Sequence, residues 1–298
     1  MILVTGGTGF IGQALIQRLV SQSRPVRALI RPSSRSPGLP QGIPVQAAIS
    51  SITDARNVRA ALVGVETVFH TVGAEWLGVH ADFQAVEIEG TRNLIEMAND
   101  AGVKRIFYLS HLGADRASAY PVLKAKGIAE RFIQSSGLEF TIIRTSLVYG
   151  PRDNFSTQLL RIARFFPLIF PLPSDGGNLV QPVFIDDLVT CLVWSLENQG
   201  SSNKLSEIGG PEYFSLQEVV EQILVKAHMS RRFVPFKPSY MRFASILLEY
   251  AFPNMPFSTF WLDYLSANRT CAIDSIPRQF GLLPSNFSNS IGYLATGS

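Results

Sequence analysis

Three glycines near the start of the chain have the spacing that lets a loop bind a diphosphate. The sequence Thr-Gly-Gly-Thr-Gly-Phe-Ile-Gly occupies residues 5–12, between the apolar run 2–4 and an apolar pattern of helical period. A strand, a turn and a helix in this order present backbone N–H groups and the positive end of the helix dipole to an anion. We expect Gly6 to form the tight turn, Gly9 to admit the pyrophosphate and Gly12 to let the helix pack on the strand. The expected contacts of this loop are Gly6, Thr8, Gly9, Phe10, Ile11 and Gly12.

The residue that follows the second apolar strand bears on which dinucleotide such a loop prefers. A carboxylate there bonds the ribose 2′-hydroxyl of NAD, whereas a cation favours the 2′-phosphate of NADP. This chain has Arg31, followed by Pro, Ser, Ser and Arg35, and no acidic residue. A guanidinium can stack on adenine and pair with phosphate. The sequence therefore favours NADP(H) over NAD(H), unless the two arginines are ordinary solvated loop charges.

These groups are positioned by an alternation of strands and helices through the first half of the chain. The pattern predicts strands at 2–4, 26–30, 45–48, 67–72, 105–110 and 140–144, and helices at 54–62, 85–101 and 122–135. Such alternation indicates an α/β fold, a doubly wound parallel Rossmann sheet covered on both faces. Ligands of these sheets bind at the carboxyl ends of the strands, where the loop 6–12, Arg31, the turn 71–73 and Ser110 all fall.

The regular alternation ends after the sixth predicted strand. Insertions that would shape a substrate lobe are predicted at about 150–180, and Ser215 with Glu218 predicts a capping box at the start of a later helix. The last part of the chain mixes aromatic residues, prolines and short helical patterns. We therefore predict a Rossmann domain over 1–230 and a small α-rich C-terminal lobe over 231–298.

Composition and charge exclude several classes of function. The 298 residues are 46% hydrophobic, which suits a soluble protein with a large core. The net charge of +3 and the scattered basic residues give no reason to expect nucleic acid as a partner. Cys191 and Cys271 lack metal-ligand spacing, so we expect no metal and a reducing compartment, with a disulfide left open. No apolar run reaches the roughly 18 residues of a membrane span. Because the first predicted strand begins at residue 2, we expect no leader on this chain.

Motifs along nearly the whole chain resemble those of short-chain dehydrogenases/reductases of the extended or atypical kind. They occupy residues 5–12, 89–94, 102–105, 108–110, 144–151, 181–188 and 209–212. The chain is most similar to the atypical branch that includes the 39-kDa-subunit-like proteins of respiratory complex I, and it also resembles the photosystem-assembly proteins of the NmrA-like group. The resemblance implies a bound NAD(P)(H), often without the usual catalysis of the superfamily.

The resemblance also implies where the adenine and the ribose would lie. In place of the aspartate that commonly caps the adenine amino group, this chain has Ser51, and Asp54 is expected to cap a helix. The turn 71–73 resembles the small-residue turn beneath the cofactor ribose. His70 is expected to be a packed or surface histidine rather than a catalyst. The expected contacts of these segments are Ser51, Ile52, Thr71, Val72 and Gly73.

In active members of the superfamily, a serine or threonine polarises the substrate carbonyl and a tyrosine transfers a proton. A lysine four residues after that tyrosine lowers its pKa and holds the nicotinamide ribose. The two side chains must lie one helical turn apart to point into one cleft. Ser110 matches the first position, and Tyr120 with Lys124 matches the tyrosine and lysine spacing.

A second register competes with this one and puts Lys126 in the lysine position. The family helix has a glutamate four residues after the lysine, as Glu130 is here, and the tyrosine position is then Val122, which cannot transfer a proton. Pro121 is tolerated only in the first helical turn, so the helix should begin near Tyr120 and leave that side chain poorly fixed. An earlier start, capped by a serine, would rescue the Tyr120 pairing. The lysine-to-glutamate spacing favours Lys126.

Two other positions depart from the family pattern. Glu87 occupies the place of an asparagine that shapes the active-site backbone in active members. His111 follows Ser110 where a second serine is common, and it would either act as a general acid or base or line the rim of the pocket.

Two functions from different classes remain open. In the first, the chain is a scaffold, sensing or assembly protein that holds NADP(H); in the second, it is an NADPH-dependent reductase, dehydrogenase or epimerase that uses Tyr120 and Lys124 on a small or lipophilic substrate. A transcriptional partner that senses NADP, as in the NmrA type, also fits the fold. The apolar residues at 240–252 and 260–264 would form the core of the lobe, a lipophilic pocket, or a patch for another protein or a membrane. We expect a cytoplasmic protein, and a place at the periphery of a membrane stays open.

Overall fold

The computed structural model describes residues 1–32, 38–40, 42–251 and 259–296 of this chain. Its strands are β1 (Ile2–Thr5), β2 (Val26–Ile30), β3 (Val45–Ile49), β4 (Thr67–His70), β5 (Arg105–His111), β6 (Glu139–Thr145), β7 (Val148–Tyr149), β8 (Ile169–Pro173), β9 (Leu179–Val180), β10 (Val183–Phe184), β11 (Lys204–Ile208), β12 (Phe214–Ser215) and β13 (Arg232–Phe236). Its α-helices are α1 (Phe10–Ser21), α2 (Ala55–Ala61), α3 (Gly90–Asp100), α4 (Pro121–Gln134), α5 (Phe155–Phe165), α6 (Ile185–Glu197), α7 (Leu216–Lys226), α8 (Pro238–Ala251), α9 (Thr259–Tyr264), α10 (Ser275–Phe280) and α11 (Phe287–Ser290). Within these described ranges, no helix has the length and apolar character needed to cross a membrane.

The central sheet has seven strands in the order β11-β6-β5-β4-β1-β2-β3. Strand β1 pairs in parallel with β2 on one side and with β4 on the other, and the β2–β3 and β4–β5 pairs are also parallel. The strand order reverses between β1 and β4, so a crevice is expected beyond the carboxyl ends of these two strands. The prediction of a doubly wound Rossmann sheet is confirmed.

Capping residues set several of the helix ends, as their sequence predicts. The Asp54 carboxylate accepts a hydrogen bond of 3.1 Å from Asn57 N and so caps α2. Ser215 and Glu218 form a complete capping box at the start of α7. Gly102 follows α3 with a φ of +72°, a left-handed conformation that glycine adopts without strain. The helix predicted at 85–101 is divided into a π-helical turn (Gln84–Glu89) and α3.

Apolar side chains from the strands and from the helices that cover them form the core around the sheet. Leu3, Val68 and Ile106 are fully buried on β1, β4 and β5, and they cluster with Leu94 of α3 and Ile133 of α4. Burying a side chain of this size stabilises a fold by about 1.5–3 kcal/mol. The strand ends, and the loops that leave them, are therefore held by a well-packed interior.

The chain divides into two compact units. The first consists of Met1–Ala74, Asp82–Arg144 and Val189–Ser206. The second consists of Glu75–Ala81, Thr145–Leu188 and Glu207–Ser298. The second unit therefore includes more of the chain than the lobe predicted at 231–298, and the division at residue 230 stays a prediction.

Candidate functional site

The glycine loop between β1 and α1 is shaped by close contacts that leave no room for side chains. Gly6 has a φ of +73°, and its carbonyl oxygen accepts a hydrogen bond of 2.9 Å from Gly9 N. A Cβ atom on Gly6 would lie 2.7 Å from the carbonyl oxygen of Thr71, and one on Gly12 would collide with the carbonyl oxygen of Gly6. The loop therefore packs against both the end of β4 and the first turn of α1.

The start of α1 has the features of an anion-binding helix end. Gly9 is the N-cap in an extended conformation and carries no side chain to cap the helix. Thr8 and Gly9 are exposed, and the Gln13 amide donates a hydrogen bond of 2.9 Å to the Thr8 carbonyl, which steadies the loop. The first turn has no acidic residue. Exposed N–H groups and an uncompensated helix dipole suit a diphosphate, so these residues fit a dinucleotide.

Arg31 follows β2, which pairs with β1, and Ser51 lies just after β3, which pairs with β2. Arg31 is exposed, at the same sheet edge as the glycine loop. Arg35 lies outside the described residues. Ser51 is half-buried and shares a hydrogen bond of 2.8 Å with Thr53 Oγ1, while Ile52 is buried. A cation and a small hydroxyl residue therefore lie where a dinucleotide-binding sheet places the adenosine end of its ligand.

The turn after β4 lies next to the glycine loop. Thr71 Oγ1 donates a hydrogen bond of 2.7 Å to the Thr5 carbonyl oxygen, which ties this turn to the end of β1. Val72 is half-buried, Gly73 is exposed, and the Val72 carbonyl oxygen lies 3.3 Å from Lys126 Nζ. The structure thus brings together the predicted loop, the predicted turn and one of the two candidate lysines.

Lys126 forms an ion pair inside the first unit. Its Nζ lies 3.0 Å from Glu87 Oε2, and the two side chains are only 3% and 0% exposed. Glu87 also accepts a hydrogen bond of 3.1 Å from Ala74 N through Oε1. Because two charges buried this deeply compensate each other, removal of either partner takes the opposite charge away from the other.

Tyr120 and Lys124 occupy different surroundings from Lys126. Helix α4 begins at Pro121 with Tyr120 as its N-cap, as the proline position predicts. Ser118 does not start the helix earlier; its hydroxyl accepts a hydrogen bond of 3.2 Å from Tyr120 N. Lys124 is exposed, and Val122 is buried one turn before Lys126. Which lysine serves a nicotinamide ribose stays a prediction.

Ser110 lies near the end of β5 with its side chain fully buried. Its hydroxyl has no hydrogen-bond partner among the residues that the structure describes. An unsatisfied buried hydroxyl costs about 1–3 kcal/mol, so a polar group of a ligand would find a ready partner here. His111, the next residue, is half-buried.

His70 is a buried histidine held by two threonines. Its Nδ1 lies 2.8 Å from Thr5 Oγ1 and its Nε2 lies 2.9 Å from Thr91 Oγ1. The Thr91 hydroxyl donates to the Glu87 carbonyl oxygen, so it accepts from Nε2–H, and Nδ1 then accepts from the Thr5 hydroxyl. Burial, and to a smaller extent the charge of Lys126, lower the pKa of His70 to about 3. The ring is therefore neutral, and of the two places expected for His70, packed or on the surface, the structure shows the packed one.

The pKa of His70 predicts a stability that falls with acidification. The unfolded chain binds a proton near the ordinary value of 6.5, whereas the folded protein resists protonation down to about 3. This contribution to stability is therefore complete above pH 6.5 and is lost as the pH falls from there toward 3, by about 2 kcal/mol between pH 7 and pH 5. Urea unfolding of the wild type and of His70→Gln at both pH values measures it. Equal losses in the two proteins would show that another group is responsible.

Sequence analysis missed the side chains that hold Lys126 and His70. Glu87 was identified only as a departure from the family pattern, and Thr5 and Thr91 appeared only within the motifs at 5–12 and 89–94, with no role of their own. The sequence did contain one signal of such contacts, a polar residue at a position where the hydrophobic pattern predicts burial. Thr5 at the end of β1 and His70 at the end of β4 are examples. Such a residue requires a partner, but its position along the chain does not say which.

Comparisons with known proteins agree with this geometry. Residues 6–158 match the model of a family described as NAD(P)H-binding. The chain is 28% identical over 227 residues to the mitochondrial NADH dehydrogenase [ubiquinone] 1 alpha subcomplex subunit 9 of Arabidopsis thaliana, covering 73% of this chain and 56% of that protein. Over an alignment of 320 positions, it is 28% identical to 2-alkyl-3-oxoalkanoate reductase of Stenotrophomonas maltophilia. This alignment covers 95% of this chain and 94% of that protein.

Solved structures share the fold. The UDP-glucose 4-epimerase of Thermus thermophilus, in complex with NAD, superposes with a TM-score of 0.75 at 20% identity, covering 99% of this chain and 97% of that one. Against the mitochondrial subunits, the chain spans only about half of the relatives' length, 56% of the plant protein and 48% of the mouse protein.

Proposed function

Because the chain belongs to the NAD(P)H-binding family and is an atypical short-chain dehydrogenase/reductase-like protein, we propose that it holds NADP(H) as a structural or sensing cofactor in a scaffold or assembly role. The glycine loop of residues 6–12 would hold the diphosphate, and Arg31 would pair with the 2′-phosphate. Lys126, beside the turn that contains Val72, would hold the nicotinamide ribose. A bound nicotinamide would supply a hydride, and the reduction of a carbonyl substrate would also require a proton donor beside it.

The observation that carries this proposal is the buried ion pair between Lys126 and Glu87. A lysine assists proton transfer by placing its positive charge beside a tyrosine hydroxyl, which lowers the pKa of that tyrosine. Here a carboxylate 3.0 Å away compensates the ammonium. The residue one turn earlier is Val122, which has no proton to transfer. This arrangement disfavours turnover through Lys126, and a cofactor that is held without turnover is consistent with it.

The alternative is an active NADPH-dependent reductase, dehydrogenase or epimerase that uses Tyr120 and Lys124. Two observations favour it. The hydroxyl of Ser110 is buried and has no hydrogen-bond partner among the described residues, so it could donate a hydrogen bond to a substrate oxygen. The bacterial relative that matches over 94% of its length is named as a reductase of 2-alkyl-3-oxoalkanoates, which are lipophilic.

A role in a larger assembly is the second part of the proposal. The plant and mouse relatives are named as subunits of a mitochondrial NADH dehydrogenase subcomplex, and a scaffold role in an assembly requires no turnover of the cofactor. We propose that the partner is a protein complex or a membrane surface, and that the C-terminal part of the chain contacts it. The protein itself would lie in the cytoplasm or at the periphery of a membrane.

Calorimetric titration tests which dinucleotide is bound. We expect wild-type protein to bind NADP(H) more tightly than NAD(H), and Arg31→Ala to lose about 10-fold or more in affinity for NADP(H) alone, since a charge-assisted bond to phosphate is lost. Arg56→Ala, which removes an exposed arginine from α2, is the matched control. Equal losses for both dinucleotides would refute the role of Arg31, and no heat with either would refute dinucleotide binding.

Turnover is tested by the absorbance of the reduced nicotinamide. We expect NADPH-loaded protein to show no oxidation with quinones, sugar nucleotides or ketones. Oxidation by any of these substrates that Tyr120→Phe abolishes would establish the enzyme instead. Oxidation that Tyr120→Phe leaves unchanged would contradict both the scaffold role and the assigned proton donor.

A further inference from the structure

Helix α8 in the second unit presents a row of large apolar side chains to the outside. Tyr240, Phe243, Leu247 and Tyr250 are between 54% and 69% exposed. Their spacing of three, four and three residues places them on one face of the helix. We call these four residues the α8 stripe. A continuous exposed row of this kind is unusual for a surface that faces only water.

The opposite face of α8 already packs against the second unit. Met241 lines an apolar cleft together with residues of α5, β8 and α9, among them Leu159 and Trp261. Ser245 and Glu249 are buried, and the Glu249 carboxylate accepts hydrogen bonds of 2.6 Å from Val79 N and Thr259 N. The core is therefore built from the inner face of α8. In the α8 stripe, Tyr250 makes an edge contact with the His80 ring, with centroids 5.5 Å apart, and still remains 66% exposed.

Basic residues outnumber acidic ones in the part of the chain around α8. Residues 226–251 contain five lysines and arginines and a single acidic residue, Glu249, which points inward. Of the five, Arg242 is paired with Asp263 of α9 at 2.9 Å. Arg232 and Lys237, six residues and one residue before α8, are exposed, and so is the apolar Phe236 between them. The whole chain, in contrast, has 26 basic and 23 acidic residues, so this excess is local.

Strand β8, which lines the same cleft as Met241 of α8, is paired with a strand that has exposed residues. Strand β13, which contains Arg232 and Phe236, pairs in parallel with β8, and Arg232 N donates a hydrogen bond of 3.2 Å to the Leu168 carbonyl oxygen. Leu168 and Phe165, just before β8, are large, apolar and exposed. Exposed apolar side chains and a cation therefore lie at or just before the starts of these two paired strands.

We propose that the α8 stripe binds the surface of an anionic phospholipid bilayer. Phe243 and Leu247 enter the boundary of the acyl chains, and the tyrosines at both ends of the stripe lie among the headgroups, because their rings are apolar and their hydroxyls polar. Arg232 and Lys237 pair with lipid phosphates. The absence of an outward-facing acidic residue on α8 makes the face complementary to a negative surface. This inference rests on the partner surface proposed above for the C-terminal part of the chain, and it does not depend on dinucleotide binding.

Sedimentation with lipid vesicles tests the proposal. We expect full-length protein to pellet with vesicles of equimolar phosphatidylcholine and phosphatidylglycerol and to remain in solution with phosphatidylcholine alone. Phe243→Ser/Leu247→Ser is expected to lower the ratio of vesicle-bound to free protein by about 10-fold or more, because two apolar side chains that would be buried in the bilayer are lost. High salt should weaken binding of the wild type.

The matched control is Val63→Ser/Leu283→Ser, which also removes two exposed apolar side chains but lies outside α8. It should bind vesicles like the wild type, and unchanged circular dichroism should show that both double variants are folded. Failure of the wild type to bind anionic vesicles, or an equal loss in both double variants, would overturn the proposal. So would a dimer in light scattering that only the α8 variant dissociates, since the stripe would then bind a second copy.

Discussion

Replacing Glu87 with alanine is expected to lower the free energy of unfolding by about 3–5 kcal/mol, the usual consequence of leaving a buried charge without its partner. In this variant the Lys126 ammonium loses the carboxylate. It keeps its contacts with the neutral carbonyl oxygens of Val72 and Leu109, at 3.3 and 3.5 Å. Ala74 N would also lose the carboxylate oxygen that accepts its hydrogen bond. Urea unfolding at neutral pH measures the change directly.

The double variant Glu87→Leu/Lys126→Met is the control for this prediction. Because apolar residues of similar volume can replace a buried ion pair at little or no cost, we expect its stability to lie close to that of the wild type. It should also bind NADP(H) more weakly, since the bond that we propose between Lys126 and the ribose would be lost. A loss of less than about 1 kcal/mol in Glu87→Ala would contradict the dependence of Lys126 on Glu87 and weaken the argument against turnover.

Gly12→Ala is expected to weaken dinucleotide binding by at least about 10-fold and to lower stability by about 1–3 kcal/mol, as overpacking of a close contact does. The new Cβ would collide with the carbonyl oxygen of Gly6, so the loop must move away from α1. Such a movement displaces the N–H groups that face the diphosphate. Calorimetric titration and thermal unfolding measure the two effects.

Gly292→Ala is the matched control, because a Cβ at Gly292 has no neighbour within 4 Å among the described residues and the backbone there does not have a positive φ. We expect its affinity and stability to remain within experimental scatter of the wild type. Normal binding by Gly12→Ala would mean that the loop is not held in the conformation described, and the placement of the diphosphate would have to be abandoned.

The order and type of the elements through β6 could be predicted because they depend on local features. The strand at Val26–Ile30 has the predicted bounds, and α4 begins beside Tyr120 because a proline cannot lie deeper in a helix. The caps at Asp54 and Ser215 were predicted for the same reason, since a side-chain oxygen reaches an N–H only two or three residues away.

The surroundings of the candidate catalytic residues could not be predicted from spacing alone. Tyr120–Lys124 and Val122–Lys126 both satisfy a four-residue interval, but α4 buries Lys126 and exposes Lys124. The position of the first helical turn relative to the sheet produces this difference. The apolar spacing along the helix does not distinguish the two registers, because it specifies a face without specifying what packs against it.

Local stereochemistry in the chain determined the glycine loop, the parallel sheet and the edge at which a dinucleotide binds, since each depends on neighbouring residues and on hydrophobic period. Tertiary structure decided that Glu87 compensates Lys126, that two threonines keep His70 neutral, and that α8 turns its acid inward and its aromatic residues outward. The physical reason is that buried charges and hydrogen-bonding groups take whichever partner the packed chain brings within about 3 Å, and residues distant in sequence meet only once the core has formed.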